Sequence, residues 1–280
     1  MALYPDLAGK VAVITGAGRL LGLGEAMAKR LAAEGCKVVI TDVGQSEDKH
    51  LPTSEIGSSA EMQQIVNDIK QQGGEASAFA CNVLKPADVE AAVEFAVSQY
   101  GKVDIWINNA GIGYLMKPIL DMDIDEWDAV LNVNLRGSFL GIKYAAKQMV
   151  KQGHGGKIIN IGSQASKSAF PEASAYTTSK HGMTGLTRVA SLELGKYAIN
   201  VNQICPNHIT TGLGAWQNAH FSEVTGKGHD KYMQDMKDRI PLGRPGLQDD
   251  IAKACAFLCS EQSIYITGEA MNVSGGEEYH

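Results

Sequence analysis

KVAVITGAGRLLGLGEAMAKRLAAEG (10–35) runs from a short apolar stretch into an amphipathic one through Gly16, Gly18, Gly22 and Gly24. KVAVITG (10–16) is rich in β-branched residues and ends in glycine, the pattern of a strand buried on both faces. LGEAMAKRLAAEG (23–35) places its apolar residues at helical spacing and closes on Gly35. Between them, TGAGRLLGLG (15–24) poses a question about spacing. Read from Gly16 it matches neither G-x-G-x-x-G nor G-x-x-x-G-x-G; only a start at Gly18 gives the second pattern. The turn either binds phosphate by an unusual path or binds nothing.

Working outward, the same alternation continues. KVVITDVG (37–44), ASAFACNV (76–83), VDIWINNAG (103–111), GKIINIGS (156–163), INVNQICP (199–206) and TGEAMNVSGG (267–276) read as strands. Helical patterns separate them at 59–74, 87–101, about 125–152, about 174–196 and 248–260. Short strands alternating with long helices predict right-handed β-α-β units and a parallel sheet covered on both faces. No repeat or composition shift divides the chain, so residues 1–280 read as one α/β domain. Two stretches break the rhythm. Residues 44–58 read as a polar loop, and 207–247 follow a strand end without a clear period.

Bulk composition narrows the function. The chain is 44% hydrophobic and 20% charged, with net charge −6, and carries no basic block. That argues against nucleic acid or an anionic membrane as partner. Pro5 and Asp6 stand where a signal peptide needs an apolar core, and no apolar run approaches the roughly 18 residues of a membrane span. The five cysteines form no C-x-x-C pair, which suits reduced, buried thiols in the cytoplasm.

The position of the glycine turn favours a nucleotide. In an open parallel sheet, backbone N–H groups at the start of the first helix meet a pyrophosphate. Asp42 then ends the second strand, where an acid reads a ribose diol. Further along, Tyr176-x-x-x-Lys180 follows Ser163, and before them come NNAG (108–111) and NVNLRG (132–137). Hydride transfer at a secondary alcohol needs a group to move the hydroxyl proton. Free tyrosine, with a pKa near ~10, is a poor base at neutral pH. A lysine one helical turn away, together with the positive nicotinamide of an oxidised cofactor, would favour the tyrosinate, and Ser163 could polarise the substrate oxygen.

These motifs, in this order, resemble the short-chain dehydrogenase/reductase family along nearly the whole chain. The resemblance implies a Rossmann-type doubly wound sheet of about seven strands. It assigns catalysis to Asn134, Ser163, Tyr176 and Lys180, with Asn132 as a rival to Asn134 for holding a water that links Lys180 to solvent. The family turn T-G-x-x-x-G-x-G is two residues shorter than TGAGRLLGLG. The cofactor residues carried over are therefore Gly16, Gly18, Arg19, Gly22, Leu23 and Gly24 in a bulged turn, then Asp42, Asn82 and Val83, Asn109, Tyr176, Lys180, Ile209 and Thr211. Asn82 replaces a frequent Asp, and Asn207 replaces the glycine that usually follows Pro206. Asp42 predicts NAD over NADP, since it would repel a 2′-phosphate; Arg19 tempers this.

Segment 207–247 should cover the substrate. Tyr114, Gln164, His208, Trp216 and Gln217 are the candidate contacts, and their mixture suits a small polyol or hydroxy-ketone. His208, His220 and His229 are too widely spaced for a metal site, so none is expected. The reading is an NAD-dependent secondary-alcohol dehydrogenase. Its rivals are an NADPH-dependent carbonyl or ketoacyl reductase and a dinucleotide-binding sensor or scaffold without turnover. Apolar stripes at Leu140, Tyr144 and Met149, and at Met183, Leu186, Val189, Ala190 and Leu194, predict helix pairing across a two-fold axis and a homotetramer.

Overall fold

The computed structural model describes residues 2–46, 48–52 and 56–279. Residues 47 and 53–55 of the expected 44–58 loop lie outside them. Seven strands form one parallel sheet: β1 (Val11–Thr15), β2 (Lys37–Asp42), β3 (Glu75–Ala80), β4 (Ile105–Asn108), β5 (Gly156–Ile161), β6 (Ile199–Pro206) and β7 (Ala270–Val273). Their order is β3-β2-β1-β4-β5-β6-β7. The chain runs outward from β1 through β3, then returns beside β1 with β4. A crevice therefore opens between the carboxyl ends of β1 and β4, where doubly wound sheets bind ligands.

Strand and helix identities follow from burial. Every residue of β1 is buried, because helices cover both sheet faces. Helices α1 (Leu23–Ala33), α2 (Ser59–Gln71) and α9 (Gln248–Cys259) pack on one face. On the other face lie α3 (Pro86–Tyr100), α5 (Gly137–Gln152) and α6 (Ser174–Leu194). In β4, Ile105 and Ile107 enter the first core and Trp106 the second. Such a side chain contributes roughly 1.5–3 kcal/mol when fully buried. Local chemistry sets the helix ends: Ser58 and Glu61 form a reciprocal cap on α2, and α3 stops at Gly101 in a left-handed conformation (φ 85°).

Two expectations need correction. The helix expected over about 125–152 is two helices, α4 (Ile124–Leu131) and α5, joined by a π-helical turn at Asn132–Arg136. Segment 207–247 contains α7 (Gly212–Val224) and α8 (His229–Arg239). Their weak periodicity has a cause: both lie over the cavity described below, and few of their residues are buried. Among the described residues, no helix is long and apolar enough to cross a membrane, and no cluster of three or more His, Cys, Asp or Glu could hold a metal.

Candidate active site

The glycine turn crosses the head of the crevice. Gly16 has φ 62°, and a Cβ there would lie 2.5 Å from the Ala110 backbone, so only glycine fits. The two extra residues make a bulge whose apex, Leu21, adopts the left-handed conformation (φ 60°). The bulge is pinned from three sides. The Leu21 N–H donates to the Glu25 carboxylate, Gln248 Nε2 donates to the Leu21 carbonyl at 3.1 Å, and the Leu20 N–H points at Glu61 (3.4 Å). Beyond it, α1 starts at Leu23 behind Gly22, with no side chain capping its first N–H groups. Such uncapped donors at a helix N-terminus fit a pyrophosphate. Arg19 reaches across the crevice: a Cβ at Gly212, the first residue of α7, would lie 3.4 Å from its Nη2.

Asp42 is buried at the end of β2. Its Oδ2 accepts from the Gly18 N–H at 2.9 Å and its Oδ1 from the Val43 N–H at 2.8 Å. The Gly57 N–H also bonds this carboxylate, bringing the far end of the 44–58 loop onto the turn. Burial raises the Asp42 pKa, and these N–H groups oppose the rise. Asn82 and Asn109 serve the chain's own backbone. Asn82 Oδ1 accepts from the Leu84 N–H (3.0 Å), and Asn109 Nδ2 donates to the Thr15 and Gly16 carbonyls at 2.9 and 2.7 Å. Val83 is buried against Gly137.

At the other end, Ser163, Tyr176, Lys180 and Asn134 converge. Tyr176 and Lys180 share a face of α6, and the lysine Nζ lies 5.6 Å from the centre of the tyrosine ring. Lys180 Nζ donates to the Ile161 carbonyl at 2.8 Å. Burial pushes this lysine down to about 8. Burial also raises the Tyr176 pKa, outweighing a hydrogen bond from Ser163 that favours the phenolate. In these surroundings burial weighs toward the neutral phenol, and the Ser163 hydrogen bond weighs against it.

The π turn places the two asparagines differently. It buries Asn134 and exposes Asn132. Asn134 Nδ2 donates to the Ile112 carbonyl (2.9 Å) and to Ser179 Oγ (3.1 Å), and its Oδ1 accepts from the Ile112 N–H at 2.8 Å. This amide clamps the chain after β4 onto α6, above Lys180.

A cavity of about 380 Å³ opens from Ser163 and Tyr176 toward α7 and α8. Gln164, His208 and Gln217, expected at the substrate, line it together with Leu23, Ile209 and Thr211, expected at the cofactor. Tyr114 and Trp216 stand outside that lining. The Tyr114 hydroxyl donates to the His50 carbonyl at 2.7 Å, and Trp216 stacks on His220. Among the lining residues that the sequence does not single out as site residues are Asn207, Tyr232, Arg239 and Glu277. The replacement of glycine by Asn207 was the one visible signal.

Comparison with known proteins agrees with this geometry. The profile of a family described as enoyl-(acyl carrier protein) reductase matches residues 16–278. A short-chain dehydrogenase/reductase from Armillaria gallica is 36% identical over 96% of this chain and 95% of its own. The L-2,3-butanediol dehydrogenase of Corynebacterium glutamicum is 32% identical over 97% of this chain and 99% of its own. A 3-oxoacyl-[acyl-carrier-protein] reductase of Staphylococcus aureus is 35% identical over 95% and 97%. Among solved structures, NAD+-bound xylitol dehydrogenase superposes with TM-score 0.87 at 30% identity, covering 97% of this chain and all of that one (100%).

Proposed function

The chain belongs to the short-chain dehydrogenase/reductase family, an oxidoreductase acting on alcohol or carbonyl groups, and from that premise we propose that it is an NAD-dependent dehydrogenase of small secondary alcohols, with a polyol or hydroxy-ketone as substrate. The observation that carries the reading is the Ser163–Tyr176–Lys180 group, its tyrosine and lysine buried, beside a cavity that Ser163 and Tyr176 line and that reaches Leu23 at the uncapped start of α1. A bound nicotinamide dinucleotide supplies the hydride acceptor or donor. Gly16, Gly18, Gly22, Leu23 and Gly24 hold its phosphates with Arg19, and Asp42 reads the adenosine ribose. Asn82, Val83 and Asn109 frame the adenosine side; Ile209 and Thr211 seat the carboxamide. Ser163 donates to the substrate oxygen while Tyr176 takes or returns the hydroxyl proton. Lys180 holds a positive charge beneath the phenol, and Asn134 seats the water that relays protons from it.

The choice of NAD rests on Asp42, whose carboxylate would repel a 2′-phosphate. The NAD+-bound xylitol dehydrogenase supports it as a neighbour. The 3-oxoacyl reductase relative keeps open an NADPH-dependent reductase, because backbone N–H groups already take up part of the Asp42 carboxylate. Steady-state rates on polyols, cyclic alcohols and ketones with each cofactor, followed at the reduced-nicotinamide band, test the reading. Turnover with NAD on secondary alcohols is expected; preference for NADPH with ketones favours the reductase, and no turnover favours a sensor or scaffold.

We also propose a homotetramer. Leu140, Met149, Met183 and Ala190 of the expected stripes are buried within the monomer, but Val189 is 53% exposed. Phe139, Val150 and Leu192 join it on the open faces of α5 and α6. Such an apolar surface suits a partner helix pair, and light scattering is expected to return the mass of four chains.

A further inference from the structure

The far end of the cavity is built by the C-terminal tail. After β7, Gly275 and Gly276 take positive φ (66° and 95°), and the Leu242 N–H donates to the Gly275 carbonyl, turning the tail back over β6. Two acids follow. Glu278 Oε1 accepts from Gln164 Nε2 at 2.8 Å, beside Ser163. Glu277, mostly buried, is held on three sides: Asn207 Nδ2 donates to its Oε2 at 2.6 Å, Arg239 Nε to its Oε1 at 3.0 Å, and His208 Nε2 lies 3.5 Å from Oε2. All four side chains line the cavity together with Tyr232, opposite apolar walls formed by Phe170, Leu213 and Phe221.

The charge of this cluster selects its ligand. Glu277 and Arg239 cancel. Burial lowers the His208 pKa, which favours the neutral imidazole. The cluster therefore presents acceptors and donors side by side with no net charge. A substrate carboxylate would meet Glu277 and an ammonium would meet Arg239. A hydroxyl, which donates and accepts at once, satisfies both. A cavity this polar at one end also disfavours a purely aliphatic alcohol, whose methyl groups would strip water from Glu277 and return no hydrogen bond.

We propose that Glu277, held by Asn207, Arg239 and His208, is a specificity-determining residue that reads a second hydroxyl of the substrate, so that the substrate is a small, uncharged diol or hydroxy-ketone. This rests on the dehydrogenase reading above and sharpens it. The C-terminal tail then belongs to the substrate site, and Asn207 stands in place of glycine because its amide ties that tail to β6.

The test compares 2-hexanol with 2,3-, 2,4- and 2,5-hexanediol, with saturating NAD. Wild type is expected to favour at least one diol over 2-hexanol by tenfold or more in kcat/KM. Glu277→Gln keeps the shape and removes the charge. It should cut that ratio about tenfold, through KM for the diol, without changing KM for NAD. Arg239→Met, which leaves the Asn207 contact intact, should erode the ratio in the same direction and covers the case in which the first variant fails to fold. Oxidation of 2-hexanol by wild type as efficiently as every diol overturns the inference and leaves the dehydrogenase reading standing. So does a diol ratio unchanged in both variants. Wild type that oxidises no alcohol with either cofactor overturns the dehydrogenase reading and this inference with it.

Discussion

At the Tyr176 end of the crevice, the tyrosine and lysine project from one helix; at the Asp42 end, a strand-end carboxylate holds a loop. Tyr176 and Lys180 sit one helical turn apart on α6. Their distances follow from helix geometry, and burial shifts both away from their charged forms. Asp42 terminates a strand, but its carboxylate is spent on the N–H groups of Gly18, Val43 and Gly57. One end is preorganised by packing. The other organises the bulged glycine turn with the same oxygens that we assign to the ribose. Substitution at the first end should therefore abolish turnover with little change in cofactor binding, while substitution at the second should change binding and stability together.

The largest expected effect is at Tyr176. Tyr176→Phe removes the hydroxyl that moves the proton, and general acid–base catalysis is worth roughly 10²–10⁴-fold. We expect kcat to fall by that factor while the dissociation constant for NAD, measured by fluorescence quenching, stays within a few-fold. A variant keeping more than a tenth of the wild-type rate would remove Tyr176 from the mechanism.

Next is Lys180, whose pKa falls to about 8 on burial. Between that value and the unfolded value of 10.5, the unfolded chain binds the proton and the folded chain does not. Stability from this residue is therefore lowest below pH 8 and rises with pH through the window. Relative to Lys180→Met, wild type should gain about 2 kcal/mol in urea unfolding between pH 7 and pH 9.5. Parallel curves for the two proteins would show that the lysine is better solvated than its position indicates.

Asp42 gives the smallest rate effect and the most mixed one. Asp42→Ala deletes a proposed ribose acceptor and a repulsion toward a 2′-phosphate, and it strands the N–H groups of Gly18, Val43 and Gly57. Hydrogen bonds to charged groups are worth roughly 1.5–3 kcal/mol. The KM for NAD should rise about tenfold or more, the gap to NADP should narrow, and the thermal midpoint should fall. Loss of NAD binding with an unchanged midpoint would mean that the carboxylate is not holding the turn. A wild type that already prefers NADP overturns the cofactor assignment.

Local interactions were legible before the fold was known. The β-branched runs mark strands because a strand buried on both faces is apolar up to its last residue, as VAVI of β1 and IWI of β4 show. Tyr176-x-x-x-Lys180 specifies its own geometry because residues four apart share a helix face. Gly16 is legible because a glycine closes the first strand just before the first helix, and its left-handed φ of 62° is the local reason. What remained hidden depends on partners far along the chain. Only the resemblance ranks Asn134 above Asn132; the π turn buries one and exposes the other only once α4 and α5 pack on α6. Tyr114 reads as a pocket wall until His50 claims its hydroxyl. Glu277 follows two glycines in a tail without pattern, and becomes part of a site only where β6 delivers Asn207 and α8 delivers Arg239 to the same carboxylate. Periodicity and backbone conformation are local properties that the sequence determines alone; which distant polar groups share a buried volume is decided when the core closes and each must find a partner.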